Sequence, residues 1–169
     1  MSTILVDEIQ DTAGKKILQN TGSILQVVES GTIADHTNSS TNTFVDSSMT
    51  VSITPTSSSN KILVSLYAVI RPNFTGSMAR GVLRVKRTVG STDTTLLMTD
   101  STFYEHFQIR NVSTEFSMVS AFEFLDSPAT TNQATYTVQS YLRNDSGVTS
   151  LIIRGSSRGT RMLAKEISA

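Results

Sequence analysis

The chain has 169 residues, no cysteine and balanced charge, with 14 basic against 14 acidic groups. A length of this order favours a single domain, which buries about 68–70% of its unfolded surface and so holds a core without metal or disulfide. Zero cysteine excludes a disulfide framework and a thiolate metal site. The neutral balance argues against nucleic acid or an anionic membrane as partner, and no apolar run approaches the ~18 residues of a membrane-spanning helix.

Residues 1–22 stand apart from the rest. Ile4, Leu5, Val6 and Ile9 form a small apolar cluster. Leu5 and Ile9 are four apart and would share one face of a helical turn, yet the segment is too short to hold a helix alone. The expectation is an extended N-terminal arm that docks on a neighbour through Leu5, Val6 and Ile9. A frayed terminus or an ordinary edge strand is the plainer alternative. The opening residues lack the basic start and long apolar stretch of a signal peptide, so assembly in a cytoplasm is expected.

From Ser23 onward, period-two alternation replaces helical spacing. Ile24–Glu29 reads as a strand and residues 30–42 as a polar loop. Met49, Val51 and Ile53 alternate with polar neighbours until Pro55, and residues 56–60 make a turn. Lys61–Ile70 is the strongest strand. Its alternate rows, Ile62, Val64, Leu66, Ala68, Ile70 and Leu63, Tyr67, Val69, are both apolar, which predicts a central position. Arg71-Pro72-Asn73 should end it, with a loop over 73–78.

A strand over 79–88 places Arg80, Arg84 and Lys86 on one face. Thr94–Met98 is short and strand-like, and 103–111 is ambiguous. Phe116, Met118, Phe122 and Phe124 line one face of the next strand. Tyr136, Val138 and Leu142 mark another, and the Asn144-Asp145-Ser146-Gly147 turn suggests a hairpin with 148–154. After a second turn over 155–159, Thr160–Ile167 closes the chain. The 25 serines and 24 threonines suit pleated, half-exposed surfaces. Eight to ten short strands of this kind predict an all-β, jelly-roll-like antiparallel β-sandwich over 23–169, following the arm over 1–22. Symmetric packing of copies, in a trimer, would cover faces that one copy leaves wet.

No catalytic motif emerges. His36 and His106 lack partners at a metal-ligating spacing, and there is no nucleophile elbow of the G-x-S-x-G kind. Gly14-Lys15-Lys16 resembles the end of a phosphate loop but lacks its first glycine and its Ser/Thr. Glu105, Glu115, Glu123 and Asp126 could supply a carboxylate pair for glycoside hydrolysis, although a solvated sheet surface explains them as well. The Arg80, Arg84 and Lys86 face has no interleaved aromatics for stacking bases, and an inter-subunit ion-pair face is the simpler expectation. No enzyme, cofactor or metal site is therefore expected.

Four stretches carry a resemblance: Ile4–Gln10 with Gly14, Gly22–Val28, Val51–Val64 and Met162–Ile167. They resemble segments of virion structural proteins from marine tailed bacteriophages, cyanophages in particular. The resemblance implies a head-decoration, short-fibre or tail protein with a trimeric β-sandwich, carried on the virion against other capsid or tail proteins, and it implies no catalytic residues. Two rivals follow from the residues. One is a glycan-binding receptor module using loops 30–42, 71–78 and 99–113, with Tyr104, His106 and Phe107 as contacts, although Phe107 equally suits a core position. The other is a polysaccharide-degrading enzyme.

Overall fold

The computed structural model describes residues 21–74, 78–96, 107–110, 116–143 and 148–169, and at 74, 78, 79, 107–110 and 148 it describes the backbone alone. Eleven strands form among the described residues. They are β1 (Ile24–Glu29), β2 (His36–Asn38), β3 (Phe44–Ile53), β4 (Lys61–Phe74), β5 (Met78–Val89), β6 (Thr92–Thr95), β7 (Phe107–Arg110), β8 (Met118–Asp126), β9 (Ala134–Leu142), β10 (Val148–Ile153) and β11 (Arg161–Ile167). A single 3-10 turn, Ser156–Arg158, precedes β11.

One sheet has the order β1-β11-β4-β10-β2 with β8 on β4, and the other β3-β9-β5-β6 with β7 on β5. Several of these strands are segments of one interrupted line. β10 and then β11 run along a single edge of β4. β1 and β2 flank them on the outside, and β6 and β7 share one edge of β5. Counting each such pair once leaves eight lines in two four-stranded sheets, β1/β2–β10/β11–β4–β8 and β3–β9–β5–β6/β7. In chain order these are lines 1-8-3-6 against 2-7-4-5, the arrangement of a jelly roll. The all-β antiparallel sandwich expected from the alternation is what the chain forms. The expected arm over 1–22 lies, but for its last two residues, outside the described residues.

The core is the inner faces of the two sheets. On β4, Ile62, Val64, Leu66, Ala68 and Ile70 are at most 3% exposed. They pack in one cluster with Met49, Val51 and Ile53 of β3, Leu83 and Val85 of β5, and Tyr136 and Val138 of β9. Each large aliphatic side chain so buried contributes about 1.5–3 kcal/mol. Met118, Phe122 and Phe124 of β8 pack against this cluster as their alternation predicts.

Two polar groups are built into the interior. Arg87 Nη1 donates to both oxygens of Asp126 at 2.7 Å, and Tyr136 Oη donates to Asp126 Oδ2 at 2.8 Å. This ties β8 of one sheet to β5 and β9 of the other. Burial first, then the neighbouring Asp126 carboxylate, raises the Tyr136 phenol far above its ordinary value, so it stays protonated and keeps its proton for Asp126.

The second group is Glu166, which is fully buried on β11. Its carboxylate accepts from Gln26 Nε2 (2.6 Å), Thr56 N (2.7 Å), Thr56 Oγ1 (2.8 Å) and Asn60 Nδ2 (2.7 Å). Burial pushes its carboxyl up, but the Asn60, Gln26 and Thr56 donors outweigh this and hold it below its ordinary value. The turn after Pro55 is therefore a carboxylate clamp. Gln26 comes from Gly22–Val28, Thr56 and Asn60 from Val51–Val64, and Glu166 from Met162–Ile167. Three of the four stretches that carry the resemblance meet at this one carboxylate.

Several expectations are corrected. β4 continues through Arg71-Pro72-Asn73 to Phe74, because β8 pairs only as far as Ile70 and, among the described residues, no strand follows on that edge to need the N–H that Pro72 lacks. Strand β2 forms inside the segment expected to be a loop over 30–42. Residues 148–153 do not make a hairpin with β9. They pair with β4 and β2 in the other sheet, so β9 and β10 lie in different sheets.

The interruption between β10 and β11 is locked from both sides. Ser156 N donates to Ile33 O, Ile33 N donates to Ser156 Oγ, and Asp35 accepts from Gly155 N at 2.6 Å. A Cβ at Gly155 would lie 2.3 Å from Ile33 O, so only glycine fits here.

Candidate functional site

The two outer faces differ in character. On the β3–β9–β5 sheet the outer face is polar and internally paired. Lys86 Nζ reaches Asp46 at 2.8 Å and Asp93 at 3.0 Å. Arg84 Nε donates to Gln139 at 2.6 Å, and its guanidinium lies 3.4 Å from the centre of the Phe44 ring. Hydrogen bonds to Asp46 and Asp93 hold the Lys86 ammonium above its ordinary value. Burial pushes the Asp46 carboxyl up, yet the Lys86 and Gln139 donors bring it below its ordinary value. The expectation that this cationic face pairs between subunits is therefore corrected for Lys86, whose carboxylate partners come from its own chain.

The outer face of the β1–β11–β4–β8 sheet carries exposed apolar side chains among charged ones. The exposed large hydrophobics among the described residues are Ile24 (57%), Val27 (56%), Tyr67 (39%), Val119 (51%) and Leu125 (53%). All belong to this sheet. The ladder register sets them in rows, because directly opposed residues share a face. Val27, Lys165, Leu63 and Leu125 make one row, and Glu29, Leu163, Ser65 and Glu123 the next. Arg161, Tyr67 and Ala121 follow, then Val69 opposite Val119. An acidic row thus lies between two rows that each carry a cation. Between Tyr67, Ala121 and Leu163 the surface dips into a depression of about 340 Å³, flanked by Arg161 and Glu123. Ser65 Oγ donates to Glu123 Oε1 across the strands.

Beyond this patch, toward the β10–β11 interruption, a second concavity of about 390 Å³ is lined by Val69, Arg71, Phe116, Ser117, Arg154 and Arg158. Arg154 Nη1 is held by Asp35 Oδ2 at 3.0 Å.

The structure separates the other candidates singled out in the sequence. Leu5, Val6, Ile9, Tyr104, His106, Glu105 and Glu115 lie outside the described residues. Phe107 opens β7, opposite Gly81 at the edge of the polar sheet, and only its backbone is described. Within the three stretches expected to be recognition loops, residues 36–38, 71–74 and 107–110 are strands instead. Glu123 and Asp126 do not converge. Glu123 faces out beside Ser65, while Asp126 faces in and is engaged by Arg87 and Tyr136. His36 is half-buried on β2, and burial holds its imidazole below the ordinary value against the opposing pull of Asp46. No group of three or more His, Asp or Glu among the described residues could hold a metal ion.

Neither family models nor curated proteins match the sequence.

Sequence reasoning missed the apolar outer face and the arginine-lined concavity. The signal for the first was present. Leu63, Tyr67 and Val69 make the second side of β4 apolar, and Val119 and Leu125 do the same on β8. Leu63, Tyr67 and Val69 read equally well as marks of a central strand. The second needs residues from positions 69 to 158 brought together by the jelly-roll topology, and it has no local signature.

Proposed function

We propose that the chain is a non-enzymatic structural module of a tailed-bacteriophage virion, a jelly roll that assembles as a homotrimer and attaches to capsid or tail through residues 1–22. The observation that carries this reading is the outer face of the β1–β11–β4–β8 sheet, where every exposed large apolar side chain among the described residues is gathered. Completing the burial of such half-exposed side chains contributes about 1 kcal/mol apiece, and an interface between copies draws on both sides. The alternation of acidic and cation-bearing rows supplies register, since an acidic row of one copy can meet a cation-bearing row of the next. The jelly roll suits the role because capsid and lectin domains both use it, although fold alone does not fix function.

The convergence of three virion-like stretches on Glu166 supports a scaffold role for them, because that carboxylate ties the β1 edge, the Pro55 turn and β11 together. Deleting residues 2–18 from the protein during particle assembly should abolish its incorporation while leaving a folded, soluble sandwich. Normal incorporation of the truncated chain would contradict the attachment role.

A further inference from the structure

Strand β2 is the shortest strand among the described residues and lies at the edge of its sheet, where its ladder is with β10. Opposed residues share a face. His36 opposite Ile153 and Asn38 opposite Leu151 are therefore set on the inner side, where Ile153 and Leu151 are fully buried. Asn38 is satisfied there, because its Nδ2 donates to Ser140 O of β9 at 3.0 Å. His36 is not. Its Nε2 is buried without a hydrogen-bond partner among the described residues.

A neutral imidazole tolerates this, since a bare Nε2 forgoes one acceptor bond. In an imidazolium both ring nitrogens carry a proton, and a charged donor would be buried with no acceptor. Besides β10, strand β2 packs against β3 and β9. No ionisable side chain lies on β10. The two phenols of β9 are committed, Tyr136 to Asp126 and Tyr141 to Asn42. The one carboxylate of β3 is Asp46, and Lys86 holds it at 2.8 Å. Asp35, next to His36 in the chain, is held by Gly155 N and Arg154.

We propose that His36 is an acid-sensitive latch: protonating it frees residues 33–38 from the edge of the sandwich and opens the clasp on Gly155 and Ser156. The clasp runs through that same short segment. Ile33 exchanges hydrogen bonds with Ser156, Asp35 accepts from Gly155 N, and Ala34 O accepts from Ser48 Oγ at 3.2 Å. Once β2 lifts, no ladder holds these bonds in place. Burial keeps the imidazole below its ordinary 6.5 against the pull of Asp46. The released segment thus takes up its proton at a higher pH than the seated one. The seated form loses stability as pH falls through 6.5 toward the lower folded value. This loss begins above the range in which Glu166 titrates, below 4.5.

Amide hydrogen exchange of the intact chain is followed by mass spectrometry at about pH 7.5 and about pH 5.5, with intrinsic rates divided out, and the His36 ring is titrated by NMR. The ring should titrate below a histidine in an unstructured peptide. Protection over residues 33–38 and 154–157 should fall at least about threefold more than protection over β4. His36→Gln, which cannot take up the proton, should abolish that extra fall. Both measurements on the native chain stand even where the variant fails to fold. Three results would overturn the proposal: a His36 ring that titrates like the peptide, a fall in protection no larger at the clasp than in β4, or a folded His36→Gln chain that keeps the extra fall.

Discussion

Glu166→Ala removes the acceptor shared by four hydrogen bonds from Gln26, Thr56 and Asn60. A hydrogen bond to a charged group contributes about 1.5–3 kcal/mol, and a buried donor left unpaired carries its full desolvation cost. The Asn60 bond is buried and the other three are partly buried, so water replaces the carboxylate at some donors and not at all. The expected loss is about 3–5 kcal/mol, a large share of the roughly 5–15 kcal/mol that holds a domain folded. At about 2–4 °C per kcal/mol for a chain of this size, the midpoint should drop about 6–20 °C.

The chain has no tryptophan, so urea unfolding is followed by far-UV circular dichroism. Glu166→Gln keeps an acceptor and should lose less. Linkage gives a second readout. Because the folded-state carboxyl titrates below its ordinary 4.5, its contribution is present above that pH and is lost as pH falls through the lower folded value. The acid limb of the stability curve should therefore be shallower in Glu166→Gln than in the native chain. A Glu166→Ala protein within about 0.5 kcal/mol of the native chain, with an unchanged acid limb, would refute the carboxylate-clamp reasoning.

Other consequences follow from the same interior. Gly155→Ala forces a Cβ against Ile33 O at 2.3 Å and should cost about 1–3 kcal/mol, measured by the same urea titration. Asp126→Ala strands the Arg87 guanidinium and the Tyr136 hydroxyl between the sheets and should cost about 3–5 kcal/mol. Replacing Arg87, Asp126 and Tyr136 together by Met, Leu and Phe should restore most of that stability, with single and combined effects far from additive.

The alternation of apolar and polar residues made much of this fold legible. The Ile62, Val64, Leu66, Ala68 and Ile70 stripe is buried, and the β8 aromatics Phe122 and Phe124, which share one face in the sequence, are partly buried against the same core. Alternation does not say which sheet a strand joins. The Asn144–Gly147 turn looked like a hairpin, yet its flanking strands lie in different sheets. Alternation is equally silent on interruptions, and the excursion over 154–160 depends on contacts with Ile33 and Asp35 more than a hundred positions away. The Glu166 clamp is the clearest case. Its donors at 26, 56 and 60 looked like ordinary strand and turn residues until the topology placed them around one carboxylate. The outer face was half legible. Two-sided apolarity correctly marked β4 as central, while its second side remains open to a partner.

The central claim is that the Val27, Tyr67, Val119 and Leu125 face joins copies of the chain. Sedimentation equilibrium of the intact 18.3 kDa chain across a wide concentration range tests it most directly. The account predicts three times the chain mass, falling to the single-chain mass when Val119 and Leu125 are both replaced by Glu with circular dichroism unchanged. A native chain that sediments at the single-chain mass at every concentration, or a trimer indifferent to those two substitutions, would contradict it.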